Sequence, residues 1–214
     1  MFVFYAGAVR SAAPALFLSH VFLSCMYIMK TYISILRGIN VSGHKLIKMD
    51  ELKKTAGEIG FEQISTYIQS GNLVFKSKLN DTSRISKLLS EAIKQKFGFE
   101  VPVITMSKEE LQQIIKLNPF VLQKELDQKY FHLTILDSCV ASIYADIFEK
   151  IDLKNDKAVG VDRVIYLYCP DGYSNTKLSN TYIENKLKVK ATTRNWKTIN
   201  ELNRIADAVS YLKT

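Results

Sequence analysis

Residues 64–76 read ISTYIQSGNLVFK. Ile64–Gln69 and Leu73–Lys76 are rich in β-branched and aromatic side chains, and Ser70-Gly71-Asn72 between them carries the turn chemistry of a β-hairpin. Upstream, Met49, Leu52, Ala56 and Ile59 recur at helical spacing, so Met49–Ile59 is a helix that Gly60 ends. Before it stands the strand Thr31–Arg37, with the loop Gly38–Ile47 between. Downstream, Thr82–Phe97 puts Ile85, Leu88, Leu89, Ala92 and Ile93 on one helical face, and Val101–Met106 is a further strand. The order βαββαβ is the split pattern of ferredoxin-like folds.

The same pattern returns in the second half. Tyr130–Leu136 is a strand, Val140–Lys150 a helix, and Ala158–Val161 and Val164–Cys169 are strands. Thr176–Leu187 is a helix and Lys190–Thr193 a last short strand. Ser107…Glu110 reads as a capping box opening a connecting helix that Asn118-Pro119 ends. Thr198…Glu201 reads as another, starting a C-terminal helix with Ile199, Leu202, Ile205, Ala206, Val209 and Leu212 on its apolar face. The expected architecture is therefore α+β: two ferredoxin-like lobes, residues 29–106 and 130–214, joined by a connecting helix within residues 107–129.

Residues 1–28 stand apart. They hold no acidic residue, and their basic character is limited to Arg10 and His20. Arg10 alone is a poor signal-peptide start, and Pro14 and His20 interrupt a stretch that would otherwise approach membrane-spanning length. This apolar leader is expected to lie outside the native fold. Translation from Met29 is preferred over an export or membrane segment and over a packed extension. The intact mass of the natural protein distinguishes these readings.

The remaining composition is that of an ordinary globular protein, 47% hydrophobic and 23% charged. A surplus of 29 Lys and Arg over 21 Asp and Glu is compatible with anionic partners, and equally with a solvated surface. Cys25, Cys139 and Cys169 are widely spaced, and with three histidines they make no zinc pattern. Reduced thiols in a cytoplasmic protein are expected. No metal site and no cofactor is indicated.

The segments ILRGINVSGHKLIKM, TYIQSGNLVF, NPF, YCPDGYSNTKL and TTRNWKT, in that order, resemble a bacterial family called domain of unknown function 1697. The resemblance runs from about Met29 to the C-terminus. In the family's usual G-I-N-V-G-G run, Ser42 replaces the fifth residue. The resemblance implies a two-lobed α+β fold and assigns no activity.

Connectivity predicts two polar clusters. In the first lobe, strands one and two run the same way, which brings Arg37, Gly38, Asn40, Gly43, His44 and Lys45 beside Gln69, Ser70, Gly71 and Asn72. Loop amides and cations there suit a phosphate or carboxylate. The alternative is that the glycines simply permit tight turns. A P-loop is excluded, because Lys45 is one place late and Leu46 has no hydroxyl. In the second lobe, Asp171 to Lys177, including Ser174 and Thr176, should meet Thr192, Thr193, Arg194, Asn195 and Trp196. Ser174 to Thr176 would open a helix whose dipole favours an anion, with Arg194 as a bidentate clamp and Trp196 as a stacking surface. Otherwise these residues cap a helix, brace the lobe and fill its core.

Neither cluster contains a catalytic set, so enzymatic activity stays open. The reading adopted is binding of a phosphorylated or nucleotide-like anion at the lobe junction. The alternatives are RNA or DNA binding, and a non-catalytic structural or partner-binding role. The nucleic-acid reading requires an exposed sheet face bearing Tyr32, Ser34, Tyr67, Asn72, Val74 and Lys76, opposite a helix-covered face of Ile33, Ile35, Leu73 and Phe75. No membrane contact is expected for the folded part, and the sequence does not address oligomeric state.

Overall fold

The computed structural model describes residues 29–140, 147–148 and 151–211. The first lobe is built from β1 (Lys30–Leu36), α1 (Met49–Glu58), β2 (Glu62–Thr66), β3 (Asn72–Ser77), α2 (Thr82–Phe97) and β4 (Val103–Ser107). Its four strands pair in the order β2-β3-β1-β4, each neighbour antiparallel. After α3 (Lys108–Lys116) come β5 (Phe131–Leu136), β6 (Lys157–Val161), β7 (Val164–Tyr168) and β8 (Ala191–Asn195), paired as β6-β7-β5-β8. The repeat read in the sequence is thus a repeat of topology. Helix α4 (Asn180–Leu187) precedes β8, and α5 (Trp196–Tyr211) follows it. Most of the expected helix Val140–Lys150 lies outside the described residues. No described helix is long and apolar enough to cross a membrane.

Both faces of each sheet carry apolar side chains, and that pattern produces three cores. Tyr32, Leu36, Leu73 and Phe75 pack beneath Leu52 and Ala56 of α1 and Ile85 and Leu89 of α2. In the second lobe, Leu136, Ile165 and Leu167 pack with Ile183 and Leu187 of α4. The third core joins the lobes. Ile33, Ile35 and Val74 of one sheet and Leu133, Ile135 and Tyr166 of the other meet Leu111 and Ile114 of α3 and Ile199 and Leu202 of α5. The buried Tyr166 hydroxyl donates to Ile114 O at 2.8 Å, which satisfies the one polar atom this ring brings inside.

This arrangement corrects the expected face assignment. Residues directly opposite in antiparallel strands share a face. Tyr32 pairs with Phe75 and Ile33 with Val74, so Tyr32 faces the helices while Ile33 and Ile35 face the shared core. The first sheet therefore has no open face of the kind the nucleic-acid reading requires.

Two helix starts also differ from expectation. Ser107 Oγ accepts from Glu110 N at 3.1 Å, as a capping box requires, but the Glu110 carboxylate turns away to Arg163 at 2.6 Å. Helix α5 is capped by Asn195, whose Oδ1 accepts from Thr198 N at 2.8 Å. Thr198 is buried inside the first turn, and Glu201 pairs with Arg204.

The turn between β2 and β3 depends on Gly71. Its φ is +76°, a region that disfavours residues with a Cβ. A Cβ there would sit 2.6 Å from Ile39 Cδ1 and 2.8 Å from Leu36 Cβ, because Leu36 N donates to Gly71 O at 2.8 Å and draws the two chains together. Gly60 has φ +87° but open space around it. Gly60→Ala should cost about 1–2 kcal/mol, the left-handed penalty alone. Gly71→Ala should cost measurably more. Chemical denaturation of the two variants checks this, and equal losses contradict the close approach.

Candidate functional site

The two predicted clusters form one junction, and Arg194 is what joins them. From β8 its Nε donates to Asn72 Oδ1 at 2.7 Å, and one terminal nitrogen donates to Leu36 O at 2.7 Å and Ser70 O at 2.9 Å. The other terminal nitrogen holds Thr192 Oγ1 at 3.2 Å and Thr193 O at 2.9 Å. A guanidinium has five N–H groups, and all five are placed. Enclosure pushes its pKa down to about 10, still far above neutrality, so the group stays charged. No carboxylate of the described residues pairs with it. Its charge is held by carbonyl, amide and hydroxyl oxygens.

That occupancy corrects the expectation of Arg194 as an anion clamp. No donor is left for a ligand. Trp196 is likewise core: it is 6% exposed and meets Phe131 edge-on, with ring centroids 6.4 Å apart. Asn72 is fully buried, its amide nitrogen donating to Tyr67 O and Ser70 Oγ. Asn195 is the α5 cap. Ser174 lies in a 3-10 turn, Tyr173–Asn175, and α4 begins later, behind the cap Ser179, so Ser174 does not stand at a helix start. Lys177 reaches Asp152 at 3.4 Å. Thr193 Oγ1 donates to Asn180 Oδ1 at 2.8 Å and accepts from the Tyr173 hydroxyl at 2.9 Å.

The first-lobe rim is similarly self-contained. Asn40, at φ +55°, donates to Ile47 O and Gln69 O and accepts from Ile47 N, which fastens the loop to the neighbouring turn. Gly38 and Gly43 supply left-handed turns in open space. Arg37 forms an ion pair with Glu184 of α4, and burial lowers its pKa against the opposing influence of Tyr173. Lys45 reaches over to Glu100 O at 2.7 Å. A second arginine ties the lobes on another side. Arg163 donates to Glu110 on α3, Leu136 O on β5 and Thr105 O on β4 at 2.6, 3.2 and 3.1 Å.

Beside these ties lies an open cleft that the sequence reading did not single out. A cavity of about 460 Å³ is bounded by Ser86, Lys87, Ser90, Glu91 and Lys94 of α2, by Glu100–Val103, and by Lys190 of the second lobe. A second cavity of about 230 Å³ shares Ser86 and Val103 with it and ends at Asp137 and Arg163. Lys94 pairs with Glu100 at 2.7 Å, and that hydrogen bond and charge hold the Glu100 carboxyl below its usual range, aided by Lys45 and Lys190. Among the described residues Lys190 makes no ion pair. A charged face on α2 was the only sequence signal, and a solvated helix shows the same pattern. What makes it a cleft wall is the approach of Lys190 from a residue about a hundred positions away.

The chain thus defines a class: a two-lobed α+β protein with a shared core, a hydrogen-bonded polar junction and a cleft alongside. A family model described as "Protein of unknown function (DUF1697)" matches residues 29–166, more than half of the chain, and the protein belongs to that family. Among solved structures, "conserved bacterial protein SP0830 from Streptococcus pneumoniae" is similar in fold, with TM-score 0.66 and 21% identity, over 83% of this chain and 99% of that one. No curated protein matches.

Arg194→Ala strands Leu36 O, Ser70 O and the Asn72 side chain, and should destabilise clearly, since a buried polar group left without its partner costs about 1–3 kcal/mol. Arg194→Lys should recover only part, since an ammonium has three donors. Urea unfolding tests both, and near-neutral losses contradict the assigned role. Thiol chemistry gives a separate check. Cys139 is exposed, whereas Cys169 is buried and its thiol is pushed up to about 12, chiefly by burial. Peptide-level mass spectrometry after brief native alkylation should find Cys139 modified and Cys169 intact.

Proposed function

We propose that the protein binds a small phosphorylated ligand in the cleft between the lobes. The observation that carries this reading is the convergence of Lys87 and Lys94 from α2 with Lys190 from the second lobe around one cavity. Arg163 lines the adjoining cavity, which shares Ser86 and Val103 with the first. A cavity of this size lies in the range of small-molecule sites, and junctions between lobes are where such sites concentrate.

Electrostatics also favours it. The Lys94–Glu100 pair is exposed and screened by solvent, so an incoming phosphate can displace Glu100 from Lys94 at little loss. Because the walls are tied by the shared core and by Arg163 and Arg194, the cleft is formed before a ligand arrives, and little ordering opposes binding. The site envisaged from the sequence was centred on Arg37 and Arg194. Along the same junction Lys190 makes no ion pair among the described residues, Lys87 and Lys94 are held only in exposed pairs with Glu91 and Glu100, and Lys45 is the predicted residue that reaches the edge.

The test is a thermal-shift screen of phosphorylated metabolites at low ionic strength. A ligand at a hundred times its Kd stabilises by about 2.7 kcal/mol, a readily measured rise in Tm. Lys190→Glu should abolish the rise without lowering the Tm of the free protein. A ligand whose effect is indifferent to Lys190, Lys94 and Lys87 contradicts this site.

A further inference from the structure

We infer that the ligand of this cleft is a phosphorylated sugar or polyol, and that it carries no aromatic base. The inference rests on the reading above and narrows it. It comes from the donor and acceptor state of the lining and from what the lining lacks.

No aromatic side chain lines either cavity. Sites that hold a base commonly stack it on an aromatic or guanidinium plane, and that stacking supplies much of the affinity. Here the sole guanidinium, Arg163, has three of its N–H groups fixed on Glu110, Leu136 and Thr105, which holds its plane against the lobe junction. A nucleotide would bring a flat apolar surface into a cleft with nothing for it to lie on.

The polar groups have the opposite character. Ser90 donates its hydroxyl hydrogen to Val101 O at 2.7 Å, and Ser86 donates to Thr105 Oγ1 at 2.8 Å. Each hydroxyl therefore meets the cleft as an acceptor. The carboxylates of Glu91, Glu100 and Asp137 line the cavities too, and ionised carboxylates only accept. Apart from the cations, the polar side chains of the larger cavity thus present a row of acceptors. An unsubstituted phosphate offers these acceptors almost no hydrogen, and a row of carboxylates repels it. Sugar hydroxyls supply the missing donors. One molecule that satisfies both halves of the cleft has a phosphate at the lysine end and several hydroxyls beyond it.

Calorimetric titration of the full chain with ribose 5-phosphate, glucose 6-phosphate, AMP, glucose and inorganic phosphate decides the matter. At least one sugar phosphate should bind about tenfold or more tightly than inorganic phosphate, the scale that paired polar groups confer. AMP should gain nothing over ribose 5-phosphate. Lys190→Ala should weaken every phosphorylated compound about fivefold or more, in line with loss of one charge-assisted contact. Glu91→Gln also releases Lys87 from its pair, so it should lower the ratio of sugar-phosphate to inorganic-phosphate affinity. AMP binding tenfold tighter than ribose 5-phosphate overturns the inference and leaves phosphate binding standing, and so does a Glu91→Gln variant with an unchanged ratio of sugar-phosphate to inorganic-phosphate affinity. If no phosphorylated compound binds, both readings fall together.

Discussion

Arg194 is a positive charge enclosed without a negative partner among the described residues, and the arrangement of the junction follows from how it is satisfied. Its five donors reach the end of β1, the β2–β3 turn and its own strand, so one side chain sets the distance between lobes and the shape of the turn opposite. The turn must come close enough for carbonyl oxygens to meet the guanidinium, and only a glycine at position 71 permits that approach. Asn72 then has to be fully buried, with its side chain divided between holding the turn and receiving Arg194. Breaking any one of these contacts leaves the others short of a partner.

A second consequence concerns motion. Two lobes joined by a connector ordinarily hinge unless their interface is large and apolar. Here the inner faces of both sheets lie in one core with α3 and α5, and Arg163 and Arg37 add polar ties at other points. The junction therefore behaves as the interior of one body. A ligand cleft on its flank is a fixed shape, suited to a compact polar solute, and needs no closure to assemble it.

Much of the fold was legible in the sequence because strand and helix periodicities are local properties. The turn at Gly71, the helix Thr82–Phe97 and the repeated four-strand order all follow from spacing and turn chemistry. The two sheet faces were harder. β1 is apolar at consecutive positions, and alternation cannot tell a helix-covered face from one covered by a second sheet, so Tyr32 and Ile33 were exchanged. The start of α4 was placed too early because the hydroxyl at Ser174 and that at Ser179 are equally good caps by type. Trp196, Asn72 and Arg194 had the residue types of a binding site, and connectivity placed Asn72 in one cluster and Arg194 with Trp196 in the other, without the contact that joins the two. Their satisfaction was not, since backbone oxygens from distant strands leave no mark in composition. The cleft was invisible for the same reason: Lys190 becomes part of it only when β8 is laid beside the first lobe.

The central claim is that the two lobes are one cooperative unit, fused through a common core and the Arg194 contacts. Native-state hydrogen exchange across a denaturant series measures this directly. The slow amides of Ile33 and Ile35 in β1 and of Leu133 and Ile135 in β5 should merge into a single isotherm with one opening free energy and one slope. If the β5 amides instead open at a distinctly lower free energy while β1 stays protected, the lobes are independent and the account fails.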